Sequence, residues 1–208
     1  ALGATAWEKI KQMCDLLDKS EDQFLWETRE LAFISLLLKT NDSRLPTHVD
    51  LSNRKGKSGI DRLWRTDSDG KKESKKNLQV IMHSLKRNFS IQHLDLSSNG
   101  IDDEGLKIIL EQLDQRDEFL LKKHQKASIA REKNQFKSIN LANNQFITKT
   151  CAELMKDFLP YTYFKTIDFS HSGWNVGSEG ILKAAAKKND HLTLILRGKE
   201  ALGSSTRR

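Results

Sequence analysis

Two prolines and two cysteines are all that the 208 residues hold of either type. So few prolines, with 30% of the residues charged, suit a helix-rich fold better than a β-sandwich broken by many turns. Two thiols are too few for a disulfide scaffold, and Cys14 and Cys151 stand in no metal-ligand spacing. Reduced thiols are expected, with Cys151 on an apolar helix face and therefore in the core. The longest mostly apolar run, residues 31–38, is too short to cross a bilayer, so no membrane span is expected. No secretory pattern stands at the start of the sequence, which leads to the expectation of a cytoplasmic protein. The Asn41 and Asn88 sequons are chance triplets on this reading.

Catalytic motifs are missing too. Gly56-Lys57-Ser58 resembles the end of a phosphate loop, but the glycine needed five places earlier is Leu51. There is no Gly-x-Ser-x-Gly, no His-Glu-x-x-His and no paired Cys-x-x-Cys. These absences point away from an enzyme, and no cofactor and no metal are expected.

Positive charge, by contrast, is abundant. The formal net charge is +7, and residues 54–76 concentrate it, with nine Lys/Arg against four Asp/Glu. This stretch is poor in apolar residues and reads as a solvated loop, with 71–76 expected to be irregular and the following helix to start at Asn77.

Four segments repeat one pattern: PTHVDLSNR from Pro46, IQHLDLSSN from Ile91, FKSINLANN from Phe136 and FKTIDFSHS from Phe164. The first, fourth and sixth places are apolar. The fourth and sixth carry Val49 and Leu51, Leu94 and Leu96, Ile139 and Leu141, Ile167 and Phe169. Such alternation belongs to a short strand with one buried face. A fifth candidate, HLTLILR from His191, has a degenerate register. After three of these strands, apolar residues recur at three- and four-residue steps: Ile101, Leu106, Ile109, Leu110, Leu113, then Phe146, Cys151, Leu154, Met155, Phe158, then Trp174, Ile181, Leu182. That spacing predicts one-sided helices. The starts are 45, 45 and 28 residues apart, so the first two units carry insertions.

LDLSSNGIDDEGLKIILEQL, from Leu94, resembles the ribonuclease-inhibitor-like class of leucine-rich repeats, and the resemblance extends over about residues 45–198. It implies an α/β fold: a short leucine-rich-repeat solenoid, with a curved parallel sheet, convex helices and an N-terminal helical cap. The ninth-place asparagines, Asn99 and Asn144, should bind neighbouring backbone where each strand turns away. Arg54 and Ser172 stand in that place in the other units, so those turns need another solution.

The expected organisation is an N-terminal helical cap over 1–42, repeats over 43–198 with insertions near 54–76 and 114–134, and a frayed tail over 199–208. The second insertion is compatible with a longer helix or a second packed helix.

Side chains between the buried ones should project from the concave face into solvent. The candidate partner-binding residues are therefore His48, Asp50, Ser52, His93, Asp95, Ser97, Ser138, Asn140, Thr166, Asp168 and Ser170. A histidine column beside an aspartate column could suggest a metal, but a metal needs converging ligands and a ladder does not supply them. The expected function is a protein–protein interaction module that binds a protein partner through this face. The resemblance implies a cytosolic regulator of an enzyme, an actin-end binder of the tropomodulin kind, or a bacterial effector working in a host cytosol. Binding of nucleic acid or an acidic surface through the basic insertions is the alternative. It is disfavoured because only Trp64 and Phe119 offer aromatic stacking there. A GTPase-activating regulator is a further alternative, with no arginine or asparagine to assign to it.

Overall fold

A computed structural model of the chain describes residues 34–35, 38–39, 47–54, 63–64, 71–86, 88, 90–123, 136–145, 147–196 and 199–201. For 71–76, 117–123 and 199–201 the description is of the backbone. Of the expected N-terminal cap, Ile34, Ser35, Leu38 and Lys39 are described and are helical. Cys14, Phe146 and residues 124–135 lie outside the described residues.

The repeats form one six-stranded sheet in sequence order. Its strands are β1 (His48–Asp50), β2 (His93–Asp95), β3 (Ser138–Asn140), β4 (Thr166–Asp168), β5 (Thr193–Leu196) and β6 (Lys199–Ala201). The first five pair in parallel, with Val49, Leu94, Ile139, Ile167 and Leu194 side by side. Parallel neighbours need a crossover. Helices α1 (Lys71–Leu85), α2 (Asp103–Lys123), α3 (Lys149–Phe158) and α4 (Val176–Ala186) supply it. In β1 to β4 the central residue is buried and its two neighbours are not, as the period of two requires. Lys199–Ala201 corrects the expectation of a tail frayed from 199: it pairs antiparallel with β5. An antiparallel return needs only a tight turn.

Each of the first four strands leaves the sheet through a residue in the left-handed region, at the eighth place of the repeat. These residues are Asn53, Ser98, Asn143 and His171, with φ between 52° and 58°. Asparagine tolerates this conformation. Asn53 thus holds the left-handed place, one residue before the place that asparagine fills in the next two units.

At the ninth place Asn99 and Asn144 behave as expected. Both are fully buried. Asn99 Nδ2 donates to the carbonyls of Leu51, Leu96 and Ser97 at 2.8–3.1 Å, and its Oδ1 accepts from the Arg54 amide at 2.9 Å. That bond satisfies the turn at Arg54. Asn144 repeats the arrangement one unit along, reaching the Leu96 carbonyl and accepting from the Asn99 and Ile101 amides. In the fourth unit the Ser172 hydroxyl donates to the Leu141 carbonyl at 3.4 Å, a longer bond to the corresponding atom.

The helices bury one face each against the sheet in a single core. Two expectations for the first insertion are corrected. Residues 71–76 are helical, because α1 starts at Lys71. Lysine and glutamate favour helix, and Leu78, Ile81, Met82 and Leu85 provide the buried face that anchors the whole segment. The insertion is also pinned. Leu63 and Trp64 are buried, and the Trp64 ring lies 3.2 Å from where a Cβ on Gly105 would stand. The second insertion begins as a longer helix, since α2 runs unbroken to Lys123.

Arg116 of α2 lies inside this core. It donates to the Asn88 carbonyl at 2.9 and 3.2 Å and sits 4.1 Å above the Phe136 ring. Asn88, one of the two sequon asparagines, is buried and donates to the Leu38 carbonyl. The helical residues before the sheet are thereby tied to the repeats.

Candidate partner-binding face

The register places the candidate residues in columns across the sheet. His48, His93, Ser138, Thr166 and Thr193 form one row of third-place residues. Asp50, Asp95, Asn140 and Asp168 form the fifth-place row, which ends at Ile195. Strands lie roughly 4.8 Å apart, so carboxylates on β1, β2 and β4 share a strip about 14 Å long.

The fifth-place side chains do not simply project into solvent, which corrects the sequence reading. Each accepts a hydrogen bond from the amide two residues on: Ser52 to Asp50, Ser97 to Asp95, Ala142 to Asn140 and Ser170 to Asp168, at 2.7–3.0 Å. These bonds turn the chain as the strand ends. Asp95 also accepts from Asn140 Nδ2 at 2.8 Å. Asp50 and Asp168 each commit one carboxylate oxygen to the fold and Asp95 commits both, and the charge remains at the surface.

Along the third-place row, the His48 and His93 rings stack at 6.1 Å between centroids and 18° between planes. His93 Nδ1 lies 2.7 Å from the Ser138 hydroxyl. Partial burial, then the charges of His48 and Lys137, holds the His93 pKa below 6.5. A neutral ring is favoured near neutral pH. The seventh-place residues are less available. Ser52 and Ser97 are half-buried, Ser170 is buried and Ala142 is buried. Ser170 is therefore the candidate least able to touch a partner. Lys137 and Lys165, at the second place, border the face and were not singled out from sequence. Their charge in a place that otherwise holds Thr47 and Gln92 was the available signal.

Little of this arrangement suits bond chemistry. Cys151 is buried with a free thiol, and desolvation, followed by the charge of Asp103, pushes its pKa far up. Among the described residues, no group of three or more His, Cys, Asp or Glu could hold a metal ion, and no helix is long and apolar enough to cross a membrane. Trp64, one of two aromatics considered for base stacking, is inside the core.

A family model for the leucine-rich repeat matches residues 87–109, which hold β2, the left-handed Ser98, the Asn99 turn and the start of α2. Residues 87–109 thus carry a leucine-rich repeat, and the fold around them is that of a short leucine-rich-repeat solenoid. No curated protein matches it in sequence. Among solved structures, the chain is similar to the tropomodulin C-terminal domain of Caenorhabditis elegans. The TM-score is 0.53 at 14% identity, covering 79% of this chain and 80% of that one. It is also similar to leiomodin-1 actin-binding site 2, with a TM-score of 0.52 at 16% identity over 78% and 76% of the two chains. At such identities the likeness speaks for the fold: alternating strands and helices in a short solenoid.

Proposed function

We propose that this protein is a binding module whose concave face takes a protein partner presenting basic side chains. The observation that carries this reading is the strip formed by Asp50, Asp95 and Asp168. Three carboxylates lie in register on one face, each fixed by a backbone amide. Fixed charges of one sign steer an oppositely charged partner and hold it in one orientation. His48, His93, Ser138, Asn140 and Thr166 line the strip with polar contacts, and Ser52 and Ser97 extend it. We further propose a cap over residues 1–42, repeats over 43–198 and a cytoplasmic site of action.

The similar leiomodin-1 structure is of an actin-binding site, which makes actin the first partner to assay. The test compares the native chain with the Asp50→Asn/Asp168→Asn double variant, in actin co-sedimentation and in affinity capture from lysate. Asparagine keeps the acceptor for Ser52 and Ser170, as Asn140 does for Ala142, and removes the charge. The expected result is a partner retained by the native chain and lost by the double variant at unchanged melting temperature. A partner kept by the double variant and lost by Lys72→Glu/Lys75→Glu/Lys76→Glu would move the site to α1 and the basic insertion.

A further inference from the structure

A second surface lies on the helical side. Leu154 was expected on the buried face of its helix, but it is 42% exposed, whereas Cys151, Ala152 and Met155 of the same helix are buried. Leu154 belongs to a cleft of about 400 Å³ between α2 and α3. From α2 the cleft is lined by Lys107, Leu110, Glu111 and Asp114. From α3 and the turn after it come Leu154, Asp157, Phe158, Tyr161 and Thr162. On α2 the lining positions fall at i, i+3, i+4 and i+7. On α3, Leu154, Asp157 and Phe158 repeat the first steps of that spacing, and Tyr161 follows in the turn. Residues so spaced share one helix face, so two neighbouring helices each turn a continuous stripe toward the cleft.

The stripes have an apolar floor and a charged rim. Leu110 and Phe158 pack against the core, while Leu154 and Tyr161, the latter 82% exposed, stand at the opening. Three carboxylates, Glu111, Asp114 and Asp157, share the rim with the Lys107 ammonium, which lies 3.9 Å from Glu111. The rim is therefore net negative on a chain whose total is +7. α3 ends at Phe158 after 10 residues, whereas α2 runs for 21.

We propose that this cleft is a second docking surface, for an amphipathic helical segment of a protein partner whose bulky apolar side chains are flanked by lysine or arginine. A groove between two helices accepts a third that lays its apolar stripe along the floor. The rim selects the sign of the flanking charge and disfavours nucleic acid and acidic segments. This assignment does not depend on the concave face.

The probe is a fluorescein-labelled peptide about four helical turns long, with leucine at helical spacing and lysine elsewhere. A matched peptide carries glutamate in place of lysine. Fluorescence anisotropy with the full chain should show saturable binding of the lysine peptide alone. Asp157→Lys and Leu154→Asp should each weaken it by about tenfold. Lys107→Glu should tighten it, a gain that a misfolded variant cannot mimic. Asp50→Asn/Asp168→Asn should leave it unchanged, which separates this site from the concave one. Equal binding of both peptides, binding of neither, or indifference to Asp157→Lys and Lys107→Glu overturns the proposal. So does a self-associating chain that Leu154→Asp makes monomeric by light scattering, because the occupant would then be a second copy.

Discussion

Replacing Asn144 by alanine removes five hydrogen bonds made by one fully buried amide. Its Oδ1 accepts from the Asn99 and Ile101 amides at 3.1 and 3.0 Å. Its Nδ2 donates to the Leu96, Leu141 and Ala142 carbonyls at 3.1, 2.9 and 3.4 Å. Alanine leaves both amides without this partner in a place that water does not reach. A buried donor left unsatisfied costs about 1–3 kcal/mol, so two cost about 2–6 kcal/mol, before the weaker loss at the carbonyls. Stability of a domain is roughly 5–15 kcal/mol in total, so the variant should be severely destabilised. Ser172→Ala is the comparison, because Ser172 makes one 3.4 Å bond to the corresponding carbonyl and should cost below about 1 kcal/mol. Urea denaturation followed by circular dichroism gives both values. Equal losses, or a loss under about 1 kcal/mol for Asn144→Ala, would refute the view that the asparagine ladder holds the turns.

Gly173→Ala should destabilise by about 1–3 kcal/mol or more, since its Cβ would meet the Gln145 carbonyl oxygen and lie 2.7 Å from that of Ile147; thermal melts check this. Asp95→Asn should cost about 1 kcal/mol more than Asp168→Asn, because its new amide would face Asn140 Nδ2, which donates to Asp95 and not to Asp168; paired urea titrations measure the difference. The His93 ring should titrate below 6.5 by NMR. Because its folded pKa is depressed, the unfolded chain binds more protons as pH drops below 6.5, so stability should fall there and not above it. His93→Gln should flatten that part of the pH profile.

The strand register was legible because buried Val49, Leu94, Ile139 and Ile167 follow a period of two, and a slip of one residue would expose all of them. The asparagine turns were legible because a buried polar side chain at a strand's end has few other uses. The first insertion was misread for a local reason. Residues 71–76 have no apolar face of their own, and their helix is supported by Leu78 to Leu85 further along. Trp64 likewise gave no hint of burial, since its contact at Gly105 comes from a distant part of the chain. The columns were visible in sequence, whereas the tie between each aspartate and the amide two residues on depends on how the strand bends. The α2–α3 cleft was not visible, because Leu154 satisfies the helical period of the buried face and yet stands exposed.

The strands keep one register although the chain travels very different distances between them. His93 is 45 residues after His48, and Thr166 is 28 after Ser138, yet both pairs lie side by side. Lateral position on the sheet is therefore decoupled from contour length. Extra residues are absorbed between Arg54 and the packed part of α1, and after Leu113, where α2 runs on to Lys123. The pitch of the surface groups stays at roughly one strand spacing whatever the loops do. The third- and fifth-place rows keep the same lattice whatever the length of the connections. Loop length and surface pattern can then vary as independent traits, and a foreign segment grafted after Arg54 should leave the rows where they are.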